Sequence, residues 1–295
     1  MSLLCDGLVA VVTGAGRGVG RGHALELARQ GARVVVNDIG GALDGDGADR
    51  GPAQAVVDEI RALGGEAVAD TGDVADWTDA QAMIGRAVDT FGRLDILVNN
   101  AGNLRDRMLV NMSEAEWDAV IRVHLKGTFA PLHFAAVHWR AQHKAGEPVA
   151  ASVVNTTSTS GLFANPGQGN YGAAKSGIAT LSIIAAKELG RYGVRVNAVA
   201  PGGLTRMTEN LGPRYATELA ADSWDERDPE NVAPMIAWLA SPESKDVTGE
   251  VFYVTGSKIQ YVQQWGRGPV ADAGRRWDPA ELGDVVPGLI AQGSA

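Results

Sequence analysis

Short apolar runs alternate along the chain with longer segments in which apolar residues recur at helical spacing. There are seven such runs, namely LVAVVTG, RVVVND, EAVADTGDV, LDILVNNAG, PVAASVVNTTS, VRVNAVAPGG and GEVFYVTG. Nearly continuous apolar runs between helices are typical of parallel strands that are buried on both faces. The pattern therefore predicts an α/β protein with a single Rossmann-like, doubly wound parallel sheet of seven strands and helices on both faces.

The last apolar run ends at Gly256, and no further strand–helix repeat follows it. We expect one main domain over residues 1–256 and a C-terminal extension over residues 257–295, packed on the same domain or on a neighbouring subunit. Two helix-like segments, at about Ser113–His143 and Asn170–Arg191, carry more apolar surface than one sheet face needs to cover. This excess apolar surface predicts a homo-oligomer, and closed symmetry would make it a dimer or a tetramer.

Composition narrows the choice of partners. The 295 residues include 26 Lys and Arg against 35 Asp and Glu, a net charge of −9 without a basic block, which argues against nucleic acid and anionic membrane surfaces. Cys5 is the only cysteine, so an intrachain disulfide is impossible and a reducing compartment fits. No apolar run approaches the ~20 residues that span a bilayer, and the first strand begins too early for a signal peptide. These features predict a soluble cytoplasmic protein.

A glycine-rich turn joins the first apolar run to the next helix, with the spacing Thr13-Gly14-x3-Gly18-x-Gly20. Glycines let the backbone approach a pyrophosphate, and a helix N-terminus supplies free N–H groups and positive potential. A plain tight turn is the alternative, but the position between a strand and a helix favours dinucleotide binding. The residues expected to bind the cofactor here are Gly14, Arg17, Gly18, Val19 and Gly20.

The second apolar run ends at Asp38, 18 residues after Gly20. A carboxylate at this strand end can accept both ribose hydroxyls of an adenosine and repels a 2′-phosphate, which favours NAD. Arg17 is a counter-signal, because a basic residue in the glycine turn could meet that phosphate. A cap or turn role for Asp38 is the alternative. We expect NAD as the cofactor.

Tyr171 and Lys175 are four residues apart in GQGNYGAAK, at the start of a predicted helix. That spacing places both side chains on one helix face. A free tyrosine has a pKa of ~10, and a nearby ammonium can lower it by ~1–3 units, which would make Tyr171 a proton-transfer group. Ser158 lies 13 residues upstream, at the end of the fifth apolar run, and could hold a substrate oxygen against Tyr171.

The motifs TGAGRGVG, NNAG, Ser158, Tyr171-x3-Lys175 and Pro201-Gly202 follow one another in an order that resembles the short-chain dehydrogenase/reductase family over residues 6–256. The resemblance implies reversible hydride transfer between a secondary alcohol carbon and a nicotinamide cofactor. It also implies that Ser158 positions the oxygen and Tyr171 transfers its proton. Lys175 would lower the Tyr171 pKa and bind the nicotinamide ribose.

The resemblance also implies cofactor contacts beyond the glycine turn. Asp73 and Val74 would contact the adenine ring, although Asp73 could instead cap the following helix. The other implied contacts are Asn100, Ala101, Gly102, Tyr171, Lys175, Pro201, Leu204 and Thr205. A loop over residues 201–208 would cover the nicotinamide, and residues 209–228 would form a substrate lid. Thr205 comes one residue earlier after the proline than the family's usual threonine.

His124, in VHLKG, stands where the family usually has an asparagine that helps hold a water between the lysine and solvent. The resemblance therefore places His124 with the catalytic residues, and a buried structural histidine is the alternative. His133, His138 and His143 are spread around a helix without Cys or Glu partners at ligand spacing. The acidic stretch GGALDGDGADRGP lacks the closing Glu of a calcium loop. No metal site is predicted.

Several stretches are more specifically similar to the dehydrogenase part of peroxisomal multifunctional enzyme type 2 and its bacterial relatives. They are VVVNDIGG, NLRDRMLVNMSEAEWDAVIRVHLKGTF, GQGNYGAAK and TRMTE. In that branch histidine replaces the usual asparagine, and the enzymes oxidise (3R)-hydroxyacyl-CoA with NAD. The resemblance implies the same reaction here.

Five arginines could bind the phosphates of an acyl-CoA, or they could pair with nearby acids such as Asp106 and Asp272. They are Arg105, Arg107, Arg267, Arg275 and Arg276. A dehydrogenase or reductase of a sterol, terpenoid or other apolar alcohol is the alternative enzyme. A non-catalytic dinucleotide sensor is the alternative from another class, and it would be free to lose Ser158, Tyr171 or Lys175.

Overall fold

The computed structural model describes residues 3–41, 51–203, 224–264 and 266–293. The predicted contacts Leu204 and Thr205, most of the predicted lid and most of the acidic loop lie outside these residues. The chain divides into two compact units, Met1–Val262 and Gln263–Ala295.

The described part of the first unit contains one sheet. Its strands are β1 Val9–Thr13, β2 Arg33–Asn37, β3 Ala67–Asp70, β4 Ile96–Asn99, β5 Ala151–Thr156, β6 Val194–Gly202, β7 Val251–Thr255 and β8 Lys258–Tyr261. They are arranged in the order β3-β2-β1-β4-β5-β6-β7-β8. β1 to β7 pair in parallel, and the order reverses between β1 and β4. This arrangement confirms the predicted doubly wound α/β fold.

Helices pack on both faces of the sheet. Their bounds are α1 Gly18–Arg29, α2 Gly51–Ala62, α3 Trp77–Phe91, α4 Glu114–Ile121, α5 Gly127–Lys144, α6 Thr159–Phe163, α7 Gly169–Leu189 and α8 Ala233–Ala240. On one face, alternate residues of β1 and β2 share a buried cluster with α1, α2 and α8. On the other face, the intervening residues share a second cluster with α3, α5 and α7. Every residue of β1 is therefore buried, which explains why its apolar run is continuous.

An eighth strand extends the sheet beyond the seven that the sequence predicts. β8 pairs antiparallel with β7, and the register Thr255↔Lys258 leaves a two-residue turn at Gly256 and Ser257. Gly256 has a φ of 53°, a value that favours glycine in such hairpin turns. All four side chains of β8 are exposed, so the strand lacks the apolar run by which the others were found. The sheet consequently continues past residue 256.

The long segment predicted from Ser113 to about His143 begins at the expected residue. The Ser113 side chain accepts from the Glu116 N–H while Glu116 bonds back to Ser113, a capping box. The segment is not one regular helix, because a π-helical turn at Arg122–Lys126 separates α4 from α5. Such turns are frequent at functional sites.

In the second unit, the described residues form a 3₁₀ turn at Pro279–Glu281 and a helix, α9, at Leu282–Gly293. Asp278 and Glu281 form a capping box before the helix. Within the parts of both units that the structure describes, no helix combines the length and apolar character needed to cross a membrane.

Candidate active site

The carboxyl ends of the parallel strands surround a cavity of about 730 Å³. Its wall includes residues that directly follow β1, β2 and β4, together with the ends of β5 and β6. The cavity therefore lies at the reversal of strand order between β1 and β4. In open α/β sheets, ligands bind at such a position.

The glycine turn after β1 presents bare backbone to the cavity. Gly14 and Gly18 have φ values of 61° and 53°, in the left-handed region that favours glycine. A Cβ on Gly14 would lie 2.7 Å from the Cα of Ala101, and a Cβ on Gly20 would lie 2.2 Å from the Gly14 carbonyl oxygen. The turn is a tight cradle that leads into the N-terminus of α1, and this geometry fits a pyrophosphate.

Thr13 ties the glycine turn to the end of β4. Its hydroxyl accepts hydrogen bonds from the backbone N–H groups of Asn100 at 2.9 Å and Ala101 at 3.1 Å. The Asn100 side chain donates to the carbonyls of Thr13 and Gly14, both at 3.1 Å. The asparagine of the NNAG motif thus supports the shape of the cradle, and Thr13 shares this role.

Asp38 lies on the cavity wall and also bonds to the backbone around it. Its Oδ2 accepts from the Gly16 N–H at 2.8 Å, and its Oδ1 accepts from the Gly40 N–H at 2.7 Å. A carboxylate has about four acceptor positions, so further lone pairs are open to a ligand. Asp38 can therefore stabilise the turn and bind a ligand at the same time. Arg17 lines the same cavity.

Asp73 and Val74 lie after β3, on the cavity wall. The Asp73 carboxylate accepts from the Ala75 N–H at 2.8 Å and forms an ion pair with Arg122 from the π-helical turn. Val74 is buried against Gly127, where a Cβ would lie 2.6 Å from the valine Cγ2. Both side chains are consequently held in place by the protein itself.

Ser158, Tyr171 and Lys175 meet on one side of the cavity. Ser158 caps α6, and Tyr171 and Lys175 lie one turn apart near the start of α7. The Ser158 hydroxyl lies close enough to the Tyr171 hydroxyl to lower the pKa of the tyrosine. The Lys175 Nζ lies 5.7 Å from the centre of the Tyr171 ring and donates to the Thr156 carbonyl at 2.6 Å. The arrangement can hold a substrate oxygen between two hydroxyls, next to a cation.

Burial dominates the electrostatics of these side chains. It raises the pKa of Tyr171, while the nearby Ser158 hydroxyl lowers this pKa and the Asp106 charge raises it further. Burial also lowers the pKa of Lys175 to about 7. The prediction that Lys175 gives Tyr171 a lowered pKa is therefore wrong for the protein by itself. The reason is that burial opposes the phenolate, and the ammonium bonds to Thr156 rather than to the phenol.

His124 lies in the π-helical turn and is 1% exposed. Its Nε2 is 2.7 Å from the carbonyl oxygen and 3.1 Å from the backbone nitrogen of Asn103. The ring packs edge-on against Tyr171, with 5.1 Å between ring centres. Burial and the Lys175 charge lower the pKa of His124 to about 3, so the imidazole is neutral at physiological pH. This environment agrees with the structural alternative for His124 and keeps it next to the site.

The structure brings together every predicted catalytic or cofactor residue that it describes. The residues on the cavity wall are Gly14, Arg17, Gly18, Val19, Gly20, Asp38, Asp73, Val74, Asn100, Ala101, Gly102, His124, Ser158, Tyr171, Lys175 and Pro201. The two remaining predicted contacts, Leu204 and Thr205, lie outside the described residues.

Several cavity residues escaped the sequence analysis. Leu104, Phe163, Gln168 and Tyr253 all line the cavity. Phe163 and Gln168 fall between Ser158 and Tyr171, and a segment that joins two site residues must stay near the site, so their position was a usable signal. No such signal exists for Tyr253, because it lies in a strand whose local pattern does not show which residues reach the cavity.

The arginines that could bind an acyl-CoA are partly engaged with acids. Arg107 pairs with Glu116 at 3.0 Å, and Arg275 pairs with Glu281. The sequence suggested Asp106 and Asp272 as the partners of these arginines. The observed partners differ because helix capping brings Glu116 and Glu281 near the arginines. Both pairs are largely exposed and stabilise the protein little. In such pairs, a phosphate can replace the carboxylate as the partner of the arginine.

Comparison with known sequences places this site among related proteins. A family profile described as enoyl-(acyl carrier protein) reductase matches residues 14–256. Hydroxyacyl-CoA dehydrogenase ChsB1 of Mycobacterium tuberculosis is 46% identical over 285 residues, covering 94% of this chain and 86% of that protein. Peroxisomal multifunctional enzyme type 2 of Drosophila melanogaster is 43% identical over 260 residues, covering 88% of this chain and 40% of that protein.

A solved structure is similar over nearly the whole chain. A short chain dehydrogenase from Mycobacterium avium is 54% identical, with a TM-score of 0.87, and the match covers 98% of this chain and 96% of that one. Both the catalytic-site motifs and the C-terminal extension therefore fall within the matched length.

Proposed function

Because the chain belongs to the short-chain dehydrogenase/reductase family of oxidoreductases, which act on CH–OH groups, we propose that it oxidises a 3-hydroxyacyl-CoA reversibly with NAD. The observation that carries the proposal is the position of Ser158 and Tyr171 beside buried Lys175 on the wall of one cavity. This trio shares one cavity wall with the glycine cradle. An alcohol and a dinucleotide bound there would meet at these side chains.

The proposed chemistry uses each side chain where it lies. In its deprotonated form, Tyr171 accepts the proton of the substrate hydroxyl and becomes the neutral phenol, and Ser158 holds the same substrate oxygen through a second hydrogen bond. A bound nicotinamide supplies the hydride acceptor. Lys175 would hold the nicotinamide ribose, and its pKa of about 7 lets its Nζ exchange protons near neutral pH. His124 stays neutral and holds the Asn103 backbone next to Tyr171, so we assign it a positioning role.

The fit to a dinucleotide rests on the cradle and on the carboxylate beside it. The backbone at Gly14 and Gly20 leaves no room for side chains, as close approach of a pyrophosphate requires. Asp38 would accept the adenosine ribose hydroxyls, and Asp73 with Val74 would contact the adenine. Family members usually use a nicotinamide cofactor, and Asp38 is our reason for choosing NAD over NADP.

Asp38→Ala should narrow the preference for NAD by weakening NAD binding and admitting NADP. A 2′-phosphate next to the carboxylate would place like charges together, which costs several kcal/mol. The measurement is kcat/KM with each cofactor, and Arg17→Ala serves as the comparison. Equal use of both cofactors by the wild-type protein would contradict this role of Asp38 and would indicate that Arg17 determines the cofactor preference.

The substrate class draws on the named activity of the relatives, on Arg105 in the loop after β4 and on the arginines of the C-terminal extension. The test compares kcat/KM for a 3-hydroxyacyl-CoA, its truncated thioester and a sterol alcohol of similar bulk. If the CoA part is bound, charge-assisted contacts should make the full thioester the best substrate. Arg105→Ala and Arg275→Ala should then lower its kcat/KM, whereas the exposed Arg140→Ala on α5 should not.

Two outcomes would favour other functions. Equal efficiency on all three substrates, unaffected by the arginine variants, would support the dehydrogenase of an apolar alcohol, for which Leu104, Phe163 and Tyr253 supply apolar wall. Binding of NAD without turnover of any alcohol would support the dinucleotide sensor.

We also propose that the protein is a homo-oligomer, with a tetramer as the expected form. Exposed apolar side chains lie on the two long helices, where Phe129 and Val137 on α5 and Ile184 on α7 are each at least 40% exposed. Pairing through these helices would cover them. Light scattering at micromolar concentration should give a multiple of the 30.8 kDa chain mass. A monomeric mass would refute the proposal.

The division into a catalytic domain over residues 1–256 and an extension over residues 257–295 stays a prediction, as does the cytoplasmic location. Deleting the extension and measuring both turnover and oligomer mass would show which of its two suggested positions it takes.

A further inference from the structure

Gln168 has a buried side chain amide that is engaged on both sides. Its Nε2 donates to Asp106 Oδ2 at 2.8 Å. Its Oε1 accepts from the Ser160 hydroxyl at 2.6 Å and from the Asn165 amide at 2.9 Å. The residue is 7% exposed, lies three residues before Tyr171 and lines the cavity. The amide thus joins the loop after β4 to the start of α6, and it also binds Asn165 between α6 and α7.

The first of these segments is the loop after β4, which carries Asp106. This loop is joined to the start of α7 at two further points, because the Arg107 N–H donates to the Gly167 carbonyl at 2.8 Å and the Asn170 side chain donates to the Arg105 carbonyl at 3.0 Å. The Asn170 Oδ1 in turn accepts from the Tyr171 N–H at 2.7 Å. The loop and the backbone of Tyr171 are therefore connected through the Asn170 side chain.

The second segment is the start of α6, which carries Ser158 and Ser160. The Ser160 N–H donates to the Ser158 hydroxyl at 3.2 Å, and the Ser160 hydroxyl donates to Gln168. Gln168 is therefore two hydrogen bonds from the hydroxyl proposed to hold the substrate oxygen. An amide is suited to this position because it donates to a carboxylate at one end and accepts from a hydroxyl at the other.

Three charged or titratable side chains face Tyr171 from different elements. Lys175 lies on the same helix, His124 lies in the π-helical turn, and Asp106 acts from the loop after β4. Lys175 and His124 are buried and bond to backbone atoms. Asp106 is exposed, and Gln168 is the side chain that holds its carboxylate. The position of this charge relative to Tyr171 therefore depends on Gln168.

We propose that Gln168 is a positioning residue for the reaction, which holds Asp106 on one side and Ser160 on the other so that the loop after β4 and the Ser158–Tyr171 pair keep one fixed geometry. The inference rests on the proposed function for its effect on turnover. It predicts that Gln168 acts on Tyr171 partly through the Asp106 charge, although the glutamine itself carries none.

The turnover test uses variants that separate the hydrogen bond from the charge. Gln168→Ala and Asp106→Ala break the bond, and we expect kcat to fall about tenfold or more with little change in KM, because small misplacements of reacting groups are costly. Asp106→Asn keeps an acceptor for the Gln168 amide, so kcat at high pH should stay near wild type. The matched control is Asp118→Asn, which removes an exposed charge from α4 and should change neither quantity.

A second measurement needs no substrate. The phenolate absorbance of each variant, minus that of the same variant carrying Tyr171→Phe, reports the titration of Tyr171 alone. Asp106→Asn should move this titration to lower pH, because the negative charge that opposes the phenolate is gone. Gln168→Ala should move it in the same direction at low ionic strength, where exposed charges are least screened.

The double variant decides whether Gln168 acts through Asp106. If it does, adding Gln168→Ala to Asp106→Asn should produce no further shift, since the charge that Gln168 positions is already absent. Additive shifts, or an unchanged titration and kcat in Gln168→Ala, would overturn the inference. A protein that oxidises no 3-hydroxyacyl-CoA but shows the expected titrations would overturn only the proposed substrate.

Discussion

Tyr171→Phe should lower kcat by about 10²–10⁴-fold, the usual contribution of a general acid–base group. The ring of Tyr171 packs edge-on against His124, and this contact survives the substitution. Only the hydroxyl is lost, together with its interaction with the nearby Ser158 hydroxyl. We therefore expect the fold and cofactor affinity to remain, because the change removes the group that accepts the substrate proton and little else.

The matched control is Tyr192→Phe, which removes a hydroxyl from a tyrosine that contacts His143 and Arg191. Steady-state kinetics and a dinucleotide titration of both variants provide the measurement. Activity within a few-fold of wild type in Tyr171→Phe would exclude Tyr171 as the proton-transfer group. Because burial raises the pKa of Tyr171, wild-type alcohol oxidation should increase as pH rises toward this pKa.

Gly20→Ala should weaken cofactor binding at least about tenfold, which corresponds to 1.4 kcal/mol. The new Cβ would lie 2.2 Å from the Gly14 carbonyl oxygen and 2.4 Å from the Asn100 amide nitrogen. The first of these atoms belongs to the backbone, so relief requires the glycine turn itself to move. Overpacking of this kind also costs about 1–3 kcal/mol of stability.

Gly85→Ala is the control for a glycine in a helix with space beside it. Its Cβ would have no neighbour closer than 4.0 Å, and we expect a stabilisation of about 0.5–1 kcal/mol with unchanged cofactor affinity. Thermal unfolding and a dinucleotide titration measure both effects. If Gly20→Ala bound the cofactor as tightly as Gly85→Ala, the cradle would not be the pyrophosphate site.

Local sequence patterns were sufficient to predict the helices and strands and to identify the motif residues. The strands β1 to β7 are buried on both faces or nearly so, and burial on both faces requires the continuous apolar runs that the sequence displays. Gly14 and Gly18 need backbone angles open to few other residues, so the glycine spacing alone locates the turn. Tyr171 and Lys175 are one turn apart in any helix, whatever surrounds it.

Some features could not be predicted from local sequence patterns, because exposed residues and isolated residues show little hydrophobic periodicity. β8 has four exposed side chains and exists through its pairing with β7. Arg107 meets Glu116, rather than the adjacent Asp106, because a helix cap presents that carboxylate. Gln168 acquires its three partners from segments up to 62 residues away.

The sequence by itself determined the fold class and the identities of the cradle glycines, since these follow from spacing along strands and helices. Its resemblance to a known family implied the Ser158–Tyr171–Lys175 group. Only the tertiary structure decided the electrostatics of that group. Burial raises the pKa of Tyr171 and lowers those of Lys175 and His124. Desolvation depends on every atom that surrounds a group in space, and most of those atoms belong to residues distant along the chain.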